Sequence, residues 1–308
     1  MKQAASPLTV LNTVTDYTRL CSQPAPANPL LALIDFADTR HNARLPSQSF
    51  VQQFYTIWLK KGLKGRVPYG HQSYDFNEGV LGFQAPGQVF SIDESLDISE
   101  LSGWMLVVHP DLLASYPLGK QITTYGFFGY AVHEALHVSA AEETMLNRLI
   151  DAIRVEYERP IDAFSQGVLV AQLDVLLNYA NRFYHRQFVT RRMPGNDLLT
   201  RFEAQLAAYI GHEAAPSGGT LPTVQQLADA LNVSPAYLSD MLRSLTGQNT
   251  QQHIHQALIE KAKRLLRTTT LTINETAYLL GFDYPHYFSR LFRKKTGQSP
   301  AQYRLSKP

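Results

Sequence analysis

The first half of the chain alternates short apolar runs with turn residues, a pattern typical of antiparallel strands. Residues 50–62, 80–93 and 102–110 are rich in aromatic and β-branched side chains, which suit the half-buried surface of a pleated sheet. Gly, Pro and Asp interrupt these segments, as turns between short strands require. Several such strands in succession predict a small barrel or sandwich.

Two stretches with helical periodicity follow, at residues 140–158 and 165–188. The first places four apolar side chains on one face, Leu146, Leu149, Ile150 and Ile153. The second carries a stripe of six, Leu169, Leu173, Leu176, Leu177, Ala180 and Tyr184. Spacings of three and four residues put each set on one side of a helix. The stripe predicts either a seam between two copies of the chain or a face that closes the barrel's own core.

The last part of the chain contains one pattern twice. Residues 227–248 align with residues 276–298, and both end in Thr-Gly-Gln. Each repeat predicts a helix, a tight turn and a second helix. The first helices open at Thr223 and Thr272, each with Gln or Glu three residues later, which is the capping-box pattern. Between the repeats, the basic amphipathic stretch 253–270 predicts a helix that spaces the two units for successive major-groove turns.

The turns and the second helices also carry signals. Asn232 and Gly281 stand at the turns, and both residue types tolerate the left-handed backbone conformation. The second helices are expected to start at Ser234-Pro235 and at Asp283, which are N-cap residues followed by proline in the first turn. Both repeats are therefore predicted helix-turn-helix units.

Charge divides the chain at its most linker-like segment, residues 211–220, where small residues, Gly and Pro cluster. Residues 1–219 carry 17 Lys and Arg against 21 Asp and Glu, and residues 220–308 carry 11 against 5, so the net charges are −4 and +6. A basic domain of this kind favours a polyanionic partner. We therefore expect one domain over residues 1–210, a linker, and a second domain over residues 221–308.

Residues 220–305 resemble the DNA-binding domain of the AraC/XylS family of transcriptional regulators. The segment LLGFDYPHYFSRLFRKKTGQSPAQYR, which begins at Leu279, carries this resemblance. The preceding order of strands and a helix pair is similar to the cupin-like sensory and dimerisation domain of many family members. The resemblance implies an α+β protein, with an N-terminal cupin-like β-barrel and a helix pair before an all-α domain of two helix-turn-helix units on a linker helix.

The resemblance also implies which residues meet DNA. The recognition helices would be about 235–245 and 284–295. Family base-reading or backbone positions in the first are Ala236, Tyr237, Ser239, Asp240 and Arg243. Those in the second are Tyr284, His286, Tyr287, Ser289, Arg290 and Lys294.

Side-chain chemistry separates these positions. Arg290 can pair bidentately with guanine, and His286 can donate to a purine acceptor. Arg243, Arg293, Lys294 and Lys295 suit phosphate contacts, which add affinity without sequence information.

Asp240 departs from the arginine found in some relatives, and a carboxylate there repels phosphate. The second unit is therefore predicted to be the stronger reader. An ion pair from Arg290 to Asp240 or Asp283 is the alternative to base reading.

Beyond double-stranded DNA, the resemblance implies a small-molecule effector and a homodimer, and it allows RNA polymerase as a further partner. Metal-binding cupins use a histidine pair with a glutamate on adjacent strands, but residues 70–79 hold one histidine and residues 85–90 none. We therefore expect a pocket with no metal and no cofactor. Its predicted lining is Tyr55, Trp58, His71, Tyr74, Phe76, Phe83 and Phe90.

One motif suggests another function. His133, Glu134 and His137 form H-E-x-x-H, which on a helix binds zinc with the glutamate as general base. Ser139 and Glu142 form a capping box that starts a new helix two residues later. The motif is therefore predicted to lie in a turn, and no catalytic residues are assigned. A zinc hydrolase and a non-specific nucleic-acid binder remain the alternative functions.

Composition bounds the remaining classes of protein. The chain has 308 residues, of which 44% are hydrophobic and 18% charged, as in an ordinary globular protein. A single cysteine, Cys21, excludes an internal disulfide framework. The amino terminus lacks an apolar export segment, and no run of about 18 apolar residues occurs. These features predict a cytoplasmic protein that does not enter a membrane.

Overall fold

The computed structural model describes residues 8–39, 49–62, 79–91, 100–190, 198–211 and 221–306. The chain divides into two compact units, residues 1–187 and 188–308, which we name the N-terminal unit and the C-terminal unit. Every described strand lies in the N-terminal unit, and the described part of the C-terminal unit is helical. The α+β class predicted from the sequence is confirmed at this level.

Eight described strands form two sheets in the N-terminal unit. They are β1 (Thr9–Leu11), β2 (Leu31–Asp35), β3 (Ser49–Gln52), β4 (Tyr55–Lys61), β5 (Val80–Gln84), β6 (Val89–Ser91), β7 (Ser102–Val108) and β8 (Leu136–His137). The smaller sheet has the order β1-β3-β6 and the larger β2-β7-β4-β5-β8. All pairs are antiparallel except β1 with β3. The three predicted strand segments therefore contain β4 to β7 and all of β3 except its first residue.

The core of this unit takes side chains from both sheets. Phe50 of the smaller sheet and Trp58 and Met105 of the larger one belong to the same buried cluster. Phe50 stacks on Phe90 with ring centres 5.3 Å apart. Strand alternation puts these residues on the facing sides of the two sheets, where burial of apolar surface stabilises the unit.

Five described α-helices begin in the N-terminal unit: α1 (Val14–Leu20), α2 (Phe36–Thr39), α3 (Leu118–Gln121), α4 (Ala140–Tyr157) and α5 (Ser165–Thr190). The predicted capping box from Ser139 to Glu142 opens α4. All six side chains of the α5 stripe are buried, and Tyr184 stacks on Phe127 with ring centres 5.5 Å apart. The stripe therefore closes the unit's own core, so its residues do not form the seam between two copies.

The C-terminal unit contains two helix-turn-helix pairs on one central helix. Its further helices are α6 (Leu198–Gly211), α7 (Val224–Leu231), α8 (Pro235–Thr246), α9 (Thr250–Thr268), α10 (Ile273–Leu279), α11 (Pro285–Thr296) and α12 (Pro300–Leu305). The pairs are α7 with α8 and α10 with α11, and both flank α9. None of the helices in the described ranges is long and apolar enough to cross a membrane.

Local signals in the repeats are mostly confirmed. Thr223 and Thr272 cap α7 and α10 through the predicted boxes. Asn232 and Gly281 have φ values of 56° and 87°, both left-handed. The N-cap of α11 is Tyr284, without a side-chain hydrogen bond, so the predicted start at Asp283 is wrong by one residue.

Helix α6 was not predicted. It packs against α7 and α9: Phe202 lies edge-on to His253 with ring centres 5.5 Å apart, and Lys261 Nζ donates to the Ile210 carbonyl. Leu206 completes its buried face. The predicted linker, residues 211–220, lies outside the described residues apart from its first position, so the domain boundaries near it stay a prediction.

Candidate nucleic-acid interface

Helix α11 presents its polar and basic residues to solvent. Phe288 and Phe292 are completely buried and contact each other with ring centres 5.7 Å apart, which anchors one face of the helix. Ser289 is half-buried. The remaining predicted contacts and one neighbour are exposed: Tyr284, His286, Tyr287, Arg290, Arg293, Lys294 and Lys295. This face combines donors, aromatic rings and four positive charges, as a groove-binding helix requires.

An aromatic ring supports the guanidinium of Arg290. Its Cζ lies 5.4 Å from the ring centre of Tyr287, a cation–π arrangement. Tyr287 in turn contacts His286 and Tyr284, with ring centres 4.2 and 5.8 Å away. Within the described part of the chain Arg290 makes no ion pair, and Asp240 pairs with Arg243 instead. The alternative ion pair to Asp240 or Asp283 is therefore not formed, and the donor fork of Arg290 stays available to a base.

The first recognition helix, α8, is engaged inside its own unit. Tyr237 is only 6% exposed and lies edge-on to Phe188 with ring centres 5.2 Å apart. Ser239 Oγ is 3.0 Å from the hydroxyl oxygen of Thr250. Burial against Phe188 leaves Tyr237 little surface that could meet a base. Ser239 has a structural partner in Thr250.

Charge is also balanced on α8. Arg243 Nη1 donates to Asp240 Oδ1 at 2.8 Å, and Ala236 is half-buried. The exposed pair contributes little to stability, but it lowers the net positive charge that α8 offers to phosphate. The described ion pair leaves α8 with less unpaired positive charge than α11, and the weaker grip of the first unit on DNA stays a prediction.

His255 on α9 lies near the lysines at the end of α11. Burial lowers the pKa of His255 on α9, and the ammonium groups of Lys295 and Lys294 lower it further. His255 is therefore neutral at pH 7 and shares a hydrogen bond with Gln251 at 2.9 Å. His255 therefore adds no positive charge to that of the two lysines at pH 7.

The H-E-x-x-H segment does not form a zinc-binding helix. His133 and Glu134 lie in a 3₁₀ turn, Val132–Glu134, whereas His137 lies in β8, which pairs with β5. Glu134 is 2% exposed, and its Oε2 accepts a hydrogen bond from the Ala131 amide at 2.6 Å. No cluster of three or more His, Cys, Asp or Glu side chains suited to a metal occurs in the described ranges. The first part of the motif lies in a turn before α4, as predicted, whereas His137 lies in a strand.

The predicted effector residues separate into three groups. Trp58 and Phe83 line a cavity of about 240 Å³ in the N-terminal unit. Tyr55 instead packs edge-on against Phe128, with ring centres 5.1 Å apart, and Phe90 belongs to the core described above. The other three lie outside the described residues: His71, Tyr74 and Phe76.

Sequence reasoning missed three aromatic residues of this cavity, Phe127, Tyr130 and Tyr184. The first two belong to the run YGFFGY at residues 125–130, whose aromatic density was an available signal. Tyr184 was recognised only as part of the helical stripe on α5. Its ring contacts Phe83 of β5, with ring centres 6.2 Å apart, a contact that helical periodicity does not predict.

Comparison with known proteins places the repeats in one family. Residues 227–306 match the family described as "Helix-turn-helix domain". The chain is 37% identical over 82 residues to the uncharacterized HTH-type transcriptional regulator YijO of Escherichia coli K12, covering 27% of this chain and 29% of the relative. It is 35% identical over 96 residues to the arabinose operon regulatory protein of that strain, covering 31% and 32%. These matches confirm an AraC-type helix-turn-helix domain in this part of the chain.

Further relatives match over the same part. The bifunctional transcriptional activator/DNA repair enzyme AdaA of Bacillus subtilis is 34% identical over 82 residues, which cover 27% of this chain and 39% of the relative. Among solved structures, the C-terminal domain of AraT, a response regulator from Geobacillus stearothermophilus, has 33% identity and a TM-score of 0.32, covering 38% of this chain and 88% of that one. The chain spans less than two fifths of the length of the three curated relatives named here.

Proposed function

We propose, on the premise that residues 227–306 are an AraC-type helix-turn-helix domain, that the chain is a sequence-specific DNA-binding transcriptional regulator. Helices α8 and α11 enter successive major-groove segments of one duplex, and α9 sets their separation. The N-terminal unit binds a small-molecule effector that controls this activity. The exposed face of α11, with Arg290 free of ion pairs within the described residues, is the observation that carries the proposal.

Helix α11 is the main reader. Arg290 reaches a guanine edge with two parallel hydrogen bonds, and His286 lies one turn earlier on the same exposed face. Arg293 and Lys294 lie toward the end of the helix and contact phosphates, which fixes its register. The polar side of α11 thus supplies both base contacts and positioning contacts.

Helix α8 makes the looser half of the complex. With Tyr237 buried and Arg243 paired to Asp240, its contacts to DNA come from Ala236, Asp240 and the exposed side of Arg243. A binding site with one strongly specified block and one weakly specified block follows from this asymmetry.

The N-terminal unit is proposed to be a cupin-like sensor. Two sheets that share one core, followed by α4 and α5, support this interpretation. The unit is also proposed to form a homodimer. Because the α5 stripe is buried, the dimer seam uses the opposite face, where Val168 and Val175 are exposed seven residues apart. Val168→Asp with Val175→Asp should then convert a dimer to a monomer in sedimentation, without loss of helical signal.

Selection from random duplex DNA by the purified full-length protein tests the regulator proposal, with anisotropy titration of the winners at two salt concentrations. We expect an enriched site with two blocks about one helical turn apart, the block under α11 being the more specific. A steep salt dependence without enrichment would show non-specific nucleic-acid binding and would reject the proposal. Enrichment by the fragment of residues 188–308, without enrichment by the full-length protein, would show that the N-terminal unit restrains binding.

A further inference from the structure

We propose that the cavity of the N-terminal unit binds one uncharged, flat molecule that packs against the aromatic lining, which includes Trp58, and accepts a hydrogen bond from the Gln84 amide. Its role as the effector rests on the proposed function, whereas the binding itself does not. The volume of about 240 Å³ equals that of about eight waters at ~30 Å³ each. This space suits a molecule of roughly ten non-hydrogen atoms.

The cavity exists because the larger sheet is incomplete at its β8 edge. Strand β8 pairs with β5 only at Val80 and Leu81. The next three residues of β5, Gly82 to Gln84, line the cavity together with Tyr130, Ala131 and Ala135 from the segment before β8. The site therefore lies where a longer β8 would have continued the sheet, under Tyr184 of α5.

Aromatic rings form much of the cavity lining. Trp58 pairs with Gly82 across the strands, and a Cβ on Gly82 would overlap the six-membered ring of the indole. Glycine therefore lets the indole lie against β5. Phe127 and Tyr184 also line the cavity and stack on each other, with ring centres 5.5 Å and planes 10° apart, and Phe83 lies 4.4 Å from Phe127. A lining made of several aromatic rings favours a planar, aromatic occupant.

The cavity lining offers no charged side chain that could pair with an ionised ligand. None of the described residues that line the cavity is Asp, Glu, Lys, Arg or His. An ion without a partner is costly to bury, whereas a neutral polar group needs only one hydrogen bond. The occupant is therefore uncharged.

Two side-chain amides line the cavity, and Gln84 has the greater spare donor capacity. Gln88 is held at both ends, because its Nε2 donates to the Phe128 carbonyl at 2.7 Å and its Oε1 accepts from the Ala85 amide at 2.9 Å. Gln84 Oε1 accepts from Thr56 Oγ1 at 3.2 Å, and in the described part of the chain its Nε2 has no partner. Gln84 therefore offers N–H donors, and the occupant supplies a carbonyl or hydroxyl acceptor.

A buried network holds Gln84 in this orientation. Thr56 accepts a hydrogen bond from Gln52 Nε2 at 3.2 Å, and the same amide donates to the Phe54 carbonyl at 3.2 Å. Gln52 and Thr56 are both completely buried. Because this chain of hydrogen bonds ends on Gln84 Oε1, the amide is oriented before any ligand arrives, which lowers the entropic cost of binding.

Tryptophan fluorescence tests the proposal directly. The chain has two tryptophans, and Trp104→Phe leaves Trp58 as the sole reporter in the full-length protein. The probes are benzamide and benzoate, which share size and shape but differ in charge. We expect benzamide to give a saturable change in Trp58 emission, and benzoate to bind at least about tenfold more weakly. The Trp104→Phe variant loses the hydrogen bond that Trp104 donates to Asn147. Calorimetry on the unmodified protein therefore repeats the comparison of benzamide with benzoate.

Three variants localise the binding. Gln84→Leu should weaken benzamide binding by about tenfold, the value of one hydrogen bond, and Ala131→Leu should abolish it by filling the space. Gln53→Leu is the matched control at an exposed position between β3 and β4 and should change nothing.

Absence of saturable binding by both methods at millimolar benzamide overturns the proposal. Unchanged binding to the Ala131→Leu variant or tighter binding of benzoate does the same. These measurements need no DNA, and selection from random DNA needs no ligand, so failure of this proposal is distinct from failure of the regulator function.

Discussion

Arg290→Ala tests whether α11 reads bases. The side chain is exposed, rests on the Tyr287 ring and makes no ion pair in the described part of the chain, so its removal breaks no structural contact beyond that stacking. The loss should therefore appear in DNA binding rather than in folding. Thermal unfolding of the variant should match that of the parent protein.

The magnitude follows from the free donor fork. A bidentate arginine–guanine contact contributes about 1–3 kcal/mol of discrimination against the wrong base. No existing salt bridge has to be broken to form this contact. The variant should therefore lose about 1–3 kcal/mol of binding free energy, which is roughly a 5- to 150-fold loss of affinity for the selected duplex. Replacing the contacted base pair should then cost the variant little.

Lys294→Ala is the comparison that separates the two kinds of contact. This lysine lies at the end of α11, close enough to His255 to lower its pKa, and it is expected to meet phosphate. Its loss should weaken selected and random duplexes alike and reduce the slope of log affinity against log salt by about 0.9.

Anisotropy titrations measure the affinity of both variants for the selected duplex, for a duplex with one base pair replaced and for a random duplex. The ratio of the first affinity to each of the others gives the specificity. Equal losses on selected and random DNA for Arg290→Ala would refute base reading. Arg290→Lys should retain charge but not the bidentate pairing. Full specificity in that variant would also contradict the argument.

Three further predictions follow from single contacts. Tyr287→Leu should lower the affinity for the selected duplex by about 0.5–1 kcal/mol through loss of the ring under Arg290, while Tyr287→Phe should not; anisotropy distinguishes them. Burial among Trp58 and Phe36 lowers the pKa of Lys60 from 10.5 to about 8. Because the native state binds fewer protons than the unfolded chain between these values, the free energy of unfolding gains up to about 3 kcal/mol as pH rises through that window. Lys60→Met should remove this gain in urea titrations at pH 7 and 10, and an unchanged difference would exclude Lys60 as its source. Glu134→Gln should leave the metal content of the purified protein unchanged, because the motif lies in a turn and a strand. One zinc per chain that disappears in the variant would restore the hydrolase alternative.

The sequence by itself determined the helix-turn-helix repeats. Their capping boxes, the left-handed Asn232 and Gly281, and the prolines that open α8 and α11 act over four residues or fewer. Such hydrogen bonds and backbone preferences depend on neighbours in the chain, which the sequence displays directly. The cap expected at Asp283 is an exception, because α11 begins after Tyr284, which makes no side-chain cap hydrogen bond.

Only the tertiary structure decided which of the predicted residues are available. Tyr237 and Tyr287 lie at matching places in the two repeats, yet Tyr237 is buried against Phe188 and Tyr287 is exposed. The cavity likewise brings together Trp58 and Tyr184, which are far apart in sequence. Periodicity shows that a helix has an apolar face, but not what that face contacts. Burial depends on packing between distant segments, so these assignments had to come from the fold.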